Sequence, residues 1–238
     1  MTDLPKGADR LAVALDLPDL DDALRLAERV APFAGVMKVG LELFVRYGPR
    51  AVTEVRERTK RRVFLDLKLH DIPETVERAV TSAKASGASL LTVHAGGGRT
   101  MLEAATRAAG ADLQILAVTV LTSLDARDLA ELGAGESVEV HAKRLFDCAW
   151  AAGVRGFITS AAEVASLRSR QPTSYLVTPG IRPTGGAAGD QKRIATPASA
   201  VAAGSDLLVV GRPIRDAADP ALAAREIAAE IALASGPA

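Results

Sequence analysis

The feature that most constrains this chain is a beat of eight short apolar runs separated by longer segments of helical character. The runs are LAVALD (11–16), GVMKVG (35–40), RVFLDL (62–67), SLLTVH (89–94), LQILAVT (113–119), RGFITS (155–160), SYLVTPG (174–180) and DLLVVG (206–211). Between them, stretches such as DALRLAERVAPF, PETVERAVTSAKASG and SVEVHAKRLFDCAWAAG place apolar residues at helical spacing, and several end in Gly before the next run. Hydrophobic residues make up 48% of the chain but aromatics only 3%, so the core is built from Ala, Val, Leu and Ile, which suits helices packed on a buried sheet. Eight strands each followed by a helix predict an α/β fold of the (β/α)8 TIM-barrel class. An open doubly wound sheet is the alternative, but it rarely needs so many units. No linker or low-complexity stretch divides the chain, so one domain is expected over residues 1–238.

Charge and targeting signals narrow the classes of function. Twenty-nine basic and 29 acidic residues cancel, and no Lys/Arg block suggests nucleic acid or an anionic membrane as partner. The opening MTDLPKGADRLAVALDL lacks the charged start and long apolar core of a signal peptide. No run approaches the roughly 18 apolar residues of a membrane span. Cys148 is alone, and His70, His94 and His141 are scattered without ligand spacing. The expectation is a soluble cytoplasmic protein with no structural metal.

Strand period sorts the charges that remain. In VFLDLK, Phe64, Asp66 and Lys68 share one face while Val63, Leu65 and Leu67 share the other. The all-aliphatic face suits the helix layer, which turns Asp66 and Lys68 into the barrel near the end of the strand. By the same reasoning Asp16 faces inward behind Ala12 and Ala14, and Lys38 lies on the face of Val36 and Gly40. Three neighbouring strands thus deliver Asp16, Lys38, Asp66 and Lys68 to the rim where barrel enzymes keep their active sites. Desolvated charges there need opposite partners.

Blander readings stand beside this one. Asp71 before Ile72 and Pro73 fits an ordinary helix start, and Lys38 fits a solvated strand end. At the other side of the predicted barrel, the Gly-rich loop in TPGIRPTGGAAGDQKRIATP and the VVGRPI strand end occupy the habitual phosphate position of this fold. Arg212 offers a two-pronged donor, Gly211 a close backbone approach, and Arg182 and Gln191 flank the loop. The alternative is a surface loop with solvated arginines. His70 reads as a surface or supporting residue, His94 as a core histidine beside a turn, and His141 as a solvated helix position.

With these motifs in hand, the chain resembles the orotidine 5′-phosphate decarboxylase family. The resemblance rests on the Asp-x-Lys-x-x-Asp run with Ile-Pro-x-Thr, standing here as DLKLHDIPETV (66–76). Around it, in order, stand ALDL (14–17), MKVGLELF (37–44), VHAGGG (93–98), VTVLTSL (118–124), TPGIRP (178–183), GDQKRIATP (189–197) and VGRPI (210–214). The resemblance implies a Lys38–Asp66–Lys68–Asp71 charge array in which Lys68 donates the proton. It implies a homodimer with shared active sites, Asp71, Ile72 and Thr75 reaching into the neighbouring subunit. Asp16 and Lys38 would hold ribose hydroxyls, Thr122 and Ser123 the pyrimidine, and Arg182, Gln191, Gly211 and Arg212 the phosphate. Orotidine 5′-monophosphate is the implied substrate, with no cofactor and no metal. Two rivals remain: a Mg2+-dependent phosphosugar decarboxylase or aldolase of a related barrel family, and a non-catalytic nucleotide-phosphate sensor. The first would carry an acidic metal ligand where this chain has Lys38.

Overall fold

The computed structural model describes residues 4–183 and 195–236. Its eight strands are β1 (Leu11–Ala14), β2 (Val36–Val39), β3 (Arg62–Leu69), β4 (Leu90–His94), β5 (Gln114–Val118), β6 (Gly156–Ile158), β7 (Tyr175–Thr178) and β8 (Leu207–Val210). Each pairs in parallel with its neighbour and β8 closes on β1, giving the expected (β/α)8 barrel. The first half of the helical layer is α1 (Leu20–Val30), α2 (Leu41–Tyr47), α3 (Pro49–Thr59), α4 (Pro73–Ala85) and α5 (Gly98–Ala109). The second half is α6 (Ala126–Glu131), α7 (Val138–Ala151), α8 (Ala161–Arg170), α9 (Pro197–Ala202), α10 (Arg212–Arg215) and α11 (Pro220–Ala234). The connections after β2, β5 and β8 therefore carry two helices where the sequence pattern suggested one.

Alternation along the strands builds two cores. Val13, Leu15, Val63, Leu65 and Leu91 point outward into the layer shared with the helices. Ala12, Ala14, Val36, Phe64, Leu90 and Leu116 fill the barrel interior. The inward positions toward the N-terminal ends of the strands are small or apolar, so the charged residues that follow them sit on a packed plug rather than over a pore. Helix starts are capped as the sequence dictates: Asp19, Ser137 and Asp219 each accept a first-turn N–H.

One strand departs from the expected pattern. β3 runs to Leu69, beyond the predicted end at 67, and its register against β4 slips. Leu65 pairs with Leu91 and Leu69 with Val93, so three residues of β3 face Thr92 alone. Lys68 lies inside this bulge with φ 51°, a left-handed conformation uncommon outside Gly.

Candidate active site

The site grows from the ends of β1, β2 and β3. Lys38 and Asp66 are nearly buried, their side chains 9% and 16% exposed, and Lys68 is 33% exposed. Lys68 Nζ donates to Asp66 Oδ1 at 2.8 Å. Lys38 Nζ stands 3.6 Å from Asp66 Oδ2 and donates to Asp16 Oδ1 at 2.9 Å. The four charges form one alternating chain, Asp16, Lys38, Asp66, Lys68. Burial pushes the Asp66 carboxyl up, but Lys38, Lys68 and the hydrogen bonds from Lys68 and Thr92 outweigh it and hold the group below the usual carboxylate range. Gly40 is part of this arrangement: a Cβ there would lie 2.8 Å from Asp16 Oδ1 and 3.2 Å from Lys38 Nζ. Any side chain would press on that ion pair.

These groups open into a cavity of about 540 Å3 that also reaches Thr122, Arg182, Gly211 and Arg212. Arg182 is buried and donates to its neighbour's carbonyl, Ile181 O, at 2.8 Å. Arg212 begins α10 directly after Gly211. The cavity brings the two groups of residues read from the sequence, the charged strand ends and the arginine side, into one space. Its described lining holds five cationic side chains, Lys38, Lys68, Arg182, Arg212 and Arg215, against the carboxylates of Asp16 and Asp66, a formal excess of three positive charges.

Other expected site residues lie elsewhere on this chain. Asp71, Ile72 and Thr75 are exposed, with Ile72 65% exposed, and none lines the cavity. Asp71 is not the cap of α4 either, since that helix start has no side-chain cap; its carboxylate accepts the Ile72 N–H at 2.6 Å. Ser123 is exposed and outside the cavity lining, while Thr122 faces it. Gln191 falls outside the described residues.

Two residues, Arg215 and Thr92, join the site without having been singled out. Arg215 lines the cavity one helical turn from Arg212 and donates to the Asp16 carbonyl at 2.9 Å. The signal was the spacing of three within RPIR. Thr92 touches both Asp66 and Lys68. His94 stacks on exposed His70 with ring centroids 5.2 Å apart, and its Nδ1 accepts the Gly96 N–H. Burial, then His70 and Lys68, push the His94 imidazole below its ordinary value; the ring stands beside a turn as expected but is half-buried rather than in the core. His141 is less solvated than expected, its Nδ1 2.9 Å from Glu136 Oε1.

Among the described residues no helix is long and apolar enough to cross a membrane, and no three His, Cys, Asp or Glu side chains group as metal ligands. Comparison with known proteins adds identity to this geometry. The model of the orotidine 5′-phosphate decarboxylase / HUMPS family matches residues 9–227. Orotidine 5′-phosphate decarboxylase of Anaeromyxobacter sp. (strain K) is 55% identical over 225 residues, covering 94% of this chain and 99% of that protein. The enzyme of the same name from Thermobifida fusca is 50% identical over 93% of this chain and 95% of its own length. The crystal structure of orotidine 5′-phosphate decarboxylase from Lactobacillus acidophilus superposes with a TM-score of 0.81 at 33% identity, over 93% of this chain and 98% of that one. With nearly its full barrel matched in both sequence and shape, the chain belongs to the orotidine 5′-phosphate decarboxylase / HUMPS family.

Proposed function

We propose that this chain converts orotidine 5′-monophosphate to UMP and CO2, the last step of de novo pyrimidine nucleotide synthesis, with neither metal nor organic cofactor. The observation that carries the reading is the Lys68 ammonium, held 2.8 Å from a buried carboxylate in a cavity whose other side is lined by arginines. Loss of CO2 leaves the bonding electron pair on C6, in the ring plane and poorly delocalised. A fixed cation beside that carbon favours the developing anion, and an N–H of Lys68 then ends the reaction by protonating it. Asp66 sets a fixed negative charge against the substrate carboxylate, a repulsion relieved when CO2 departs. Catalysed barrier reductions span about 8–23 kcal/mol, and an unstabilised carbanion demands the upper part of that range. One ion pair does not supply it; a preorganised array with phosphate binding driving closure does.

The charge balance of the cavity supports this substrate. A phosphate carries about −1.5 to −2 at neutral pH, and a carboxylate adds one more, close to the opposite of the excess of three on the lining. Arg182, Arg212, the Gly211 backbone and Gln191 take the phosphate. Asp16 and Lys38 hold the ribose hydroxyls, and Thr122 and Ser123 lie at the pyrimidine. Asp71, Ile72 and Thr75, exposed on the isolated chain, complete the site of a neighbouring subunit in a homodimer.

The Mg2+-dependent alternative fits less well. Lys38 Nζ sits between the carboxylates of Asp16 and Asp66, where it offsets part of their charge and repels a divalent cation. A sensor of nucleotide phosphate needs the arginines but has no use for Lys68 against Asp66. Incubation with orotidine 5′-monophosphate in EDTA separates the three: UMP and CO2 form in equal amounts at an undiminished rate. Arrest by the chelator, or binding without turnover, would overturn the proposal.

A further inference from the structure

Under the charged rim lies a hydroxyl with two partners. Thr92 of β4 is 0% exposed and sits opposite the bulge in β3. Its Oγ1 accepts the Lys68 backbone N–H at 2.9 Å and donates to Asp66 Oδ1, also at 2.9 Å. Where β3 slips against β4, the Lys68 N–H has left the ladder, and the Thr92 side chain takes the place of a strand carbonyl. Asp66 Oδ1 receives the Lys68 ammonium as well, so a single side chain ties the lysine's backbone and its counter-ion together. An apolar residue at this point would strand a buried N–H and leave the carboxylate freer to turn.

We propose that Thr92 is the positioning residue for this reaction: its hydroxyl fixes Lys68 in its left-handed backbone conformation and sets the Asp66 carboxylate against the ammonium. The inference rests on the decarboxylase reading and adds to it a residue that never touches substrate. Thr92 also contributes to holding the Asp66 carboxyl below its ordinary range, after Lys38 and Lys68.

Two variants decide the matter. Thr92→Val keeps the shape and removes both hydrogen bonds; Thr92→Ser keeps the hydroxyl and removes a methyl group. In T92V, kcat falls about 10–100-fold, since a misplacement of about 1 Å in the reacting geometry costs up to about 100-fold. KM stays near that of the unsubstituted protein, and T92S recovers most of the rate. A crystal structure of T92V shows Lys68 out of the left-handed region or its Nζ displaced from Asp66. Full kcat in T92V, an equal loss in T92S, or an unmoved Lys68 would overturn the inference. If the unsubstituted chain does not turn over orotidine 5′-monophosphate, the decarboxylase reading falls instead, and the crystallographic comparison alone decides the role of Thr92.

Discussion

The barrel carries ionic clusters at both ends, and the arginines of the floor and the lysines of the mouth are held on opposite plans. At the floor, Arg168 donates to the carbonyls of Pro172, Ser174 and Gly204 and to the Asp206 carboxylate. Arg10 donates to the carbonyls of Ser205 and Asp206 and to Ser235 Oγ, and Asp206 also takes the Leu176 N–H. Each guanidinium there is met by fixed backbone, and its donors are spent within the protein. At the mouth, among the described residues, Lys38 and Lys68 are met by carboxylates alone and face a cavity. Cations satisfied by carbonyls act as staples. Cations held by carboxylates at a cavity wall keep donors for a ligand, and Lys68 adds a left-handed backbone, which among the described non-glycine residues it shares with Lys60.

The largest break in that contrast comes from Lys68→Ala. Removing the proton donor and the cation beside C6 lowers kcat about 10⁴-fold, while UMP binding stays measurable by calorimetry. Substantial residual turnover would remove the mouth's claim to chemistry. A companion mixture tests whether the mouth is completed by a second chain. If K68A and D71A subunits exchange freely, half the dimers are mixed and each has one site free of both lesions, so about a quarter of the original activity returns. No recovery after demonstrated exchange would confine Asp71 to its own surface.

Arg212→Ala is the next test, directed at the arginine side of the cavity. Loss of a charge-assisted phosphate contact lowers kcat/KM for orotidine 5′-monophosphate about 100-fold. A phosphate-free orotidine analogue loses little. Equal losses on both substrates would mean that Arg212 supports the fold of the mouth rather than the anion.

Which parts of this contrast are legible in the sequence follows from how local each one is. The eight runs and the inward turn of Lys38 and Asp66 depend on strand period within single segments, and each run holds a strand while both side chains line the cavity. The bulge was not legible, because VFLDLKL reads as unbroken strand until its register against β4 is known. Thr92 was hidden for the same reason: in SLLTVH it looks like one polar residue in a core strand, although its shared face with Leu90 placed it inward. Arg215 lay just past the last motif, within reach of an i, i+3 reading. Asp71, Ile72 and Thr75 mark the limit of any single-chain pattern, since an exposed residue that serves a neighbour looks the same as one that serves none.

The smallest effect on catalysis is expected at the floor. Arg168→Met keeps much of the stem but removes the donors that satisfy three carbonyls and the Asp206 carboxylate. Leaving those acceptors unpaired costs about 2–3 kcal/mol, an amount that lowers Tm by about 4–12 °C in a domain of this size. Because the barrel plug of Ala12, Val36, Phe64 and Leu90 lies between the floor and the mouth, turnover per folded molecule at 25 °C stays unchanged. Calorimetry and single-temperature kinetics on one preparation measure both quantities. A fall in kcat with Tm preserved would show that the floor reaches the chemistry through the plug, and the division between staple and site would have to be redrawn.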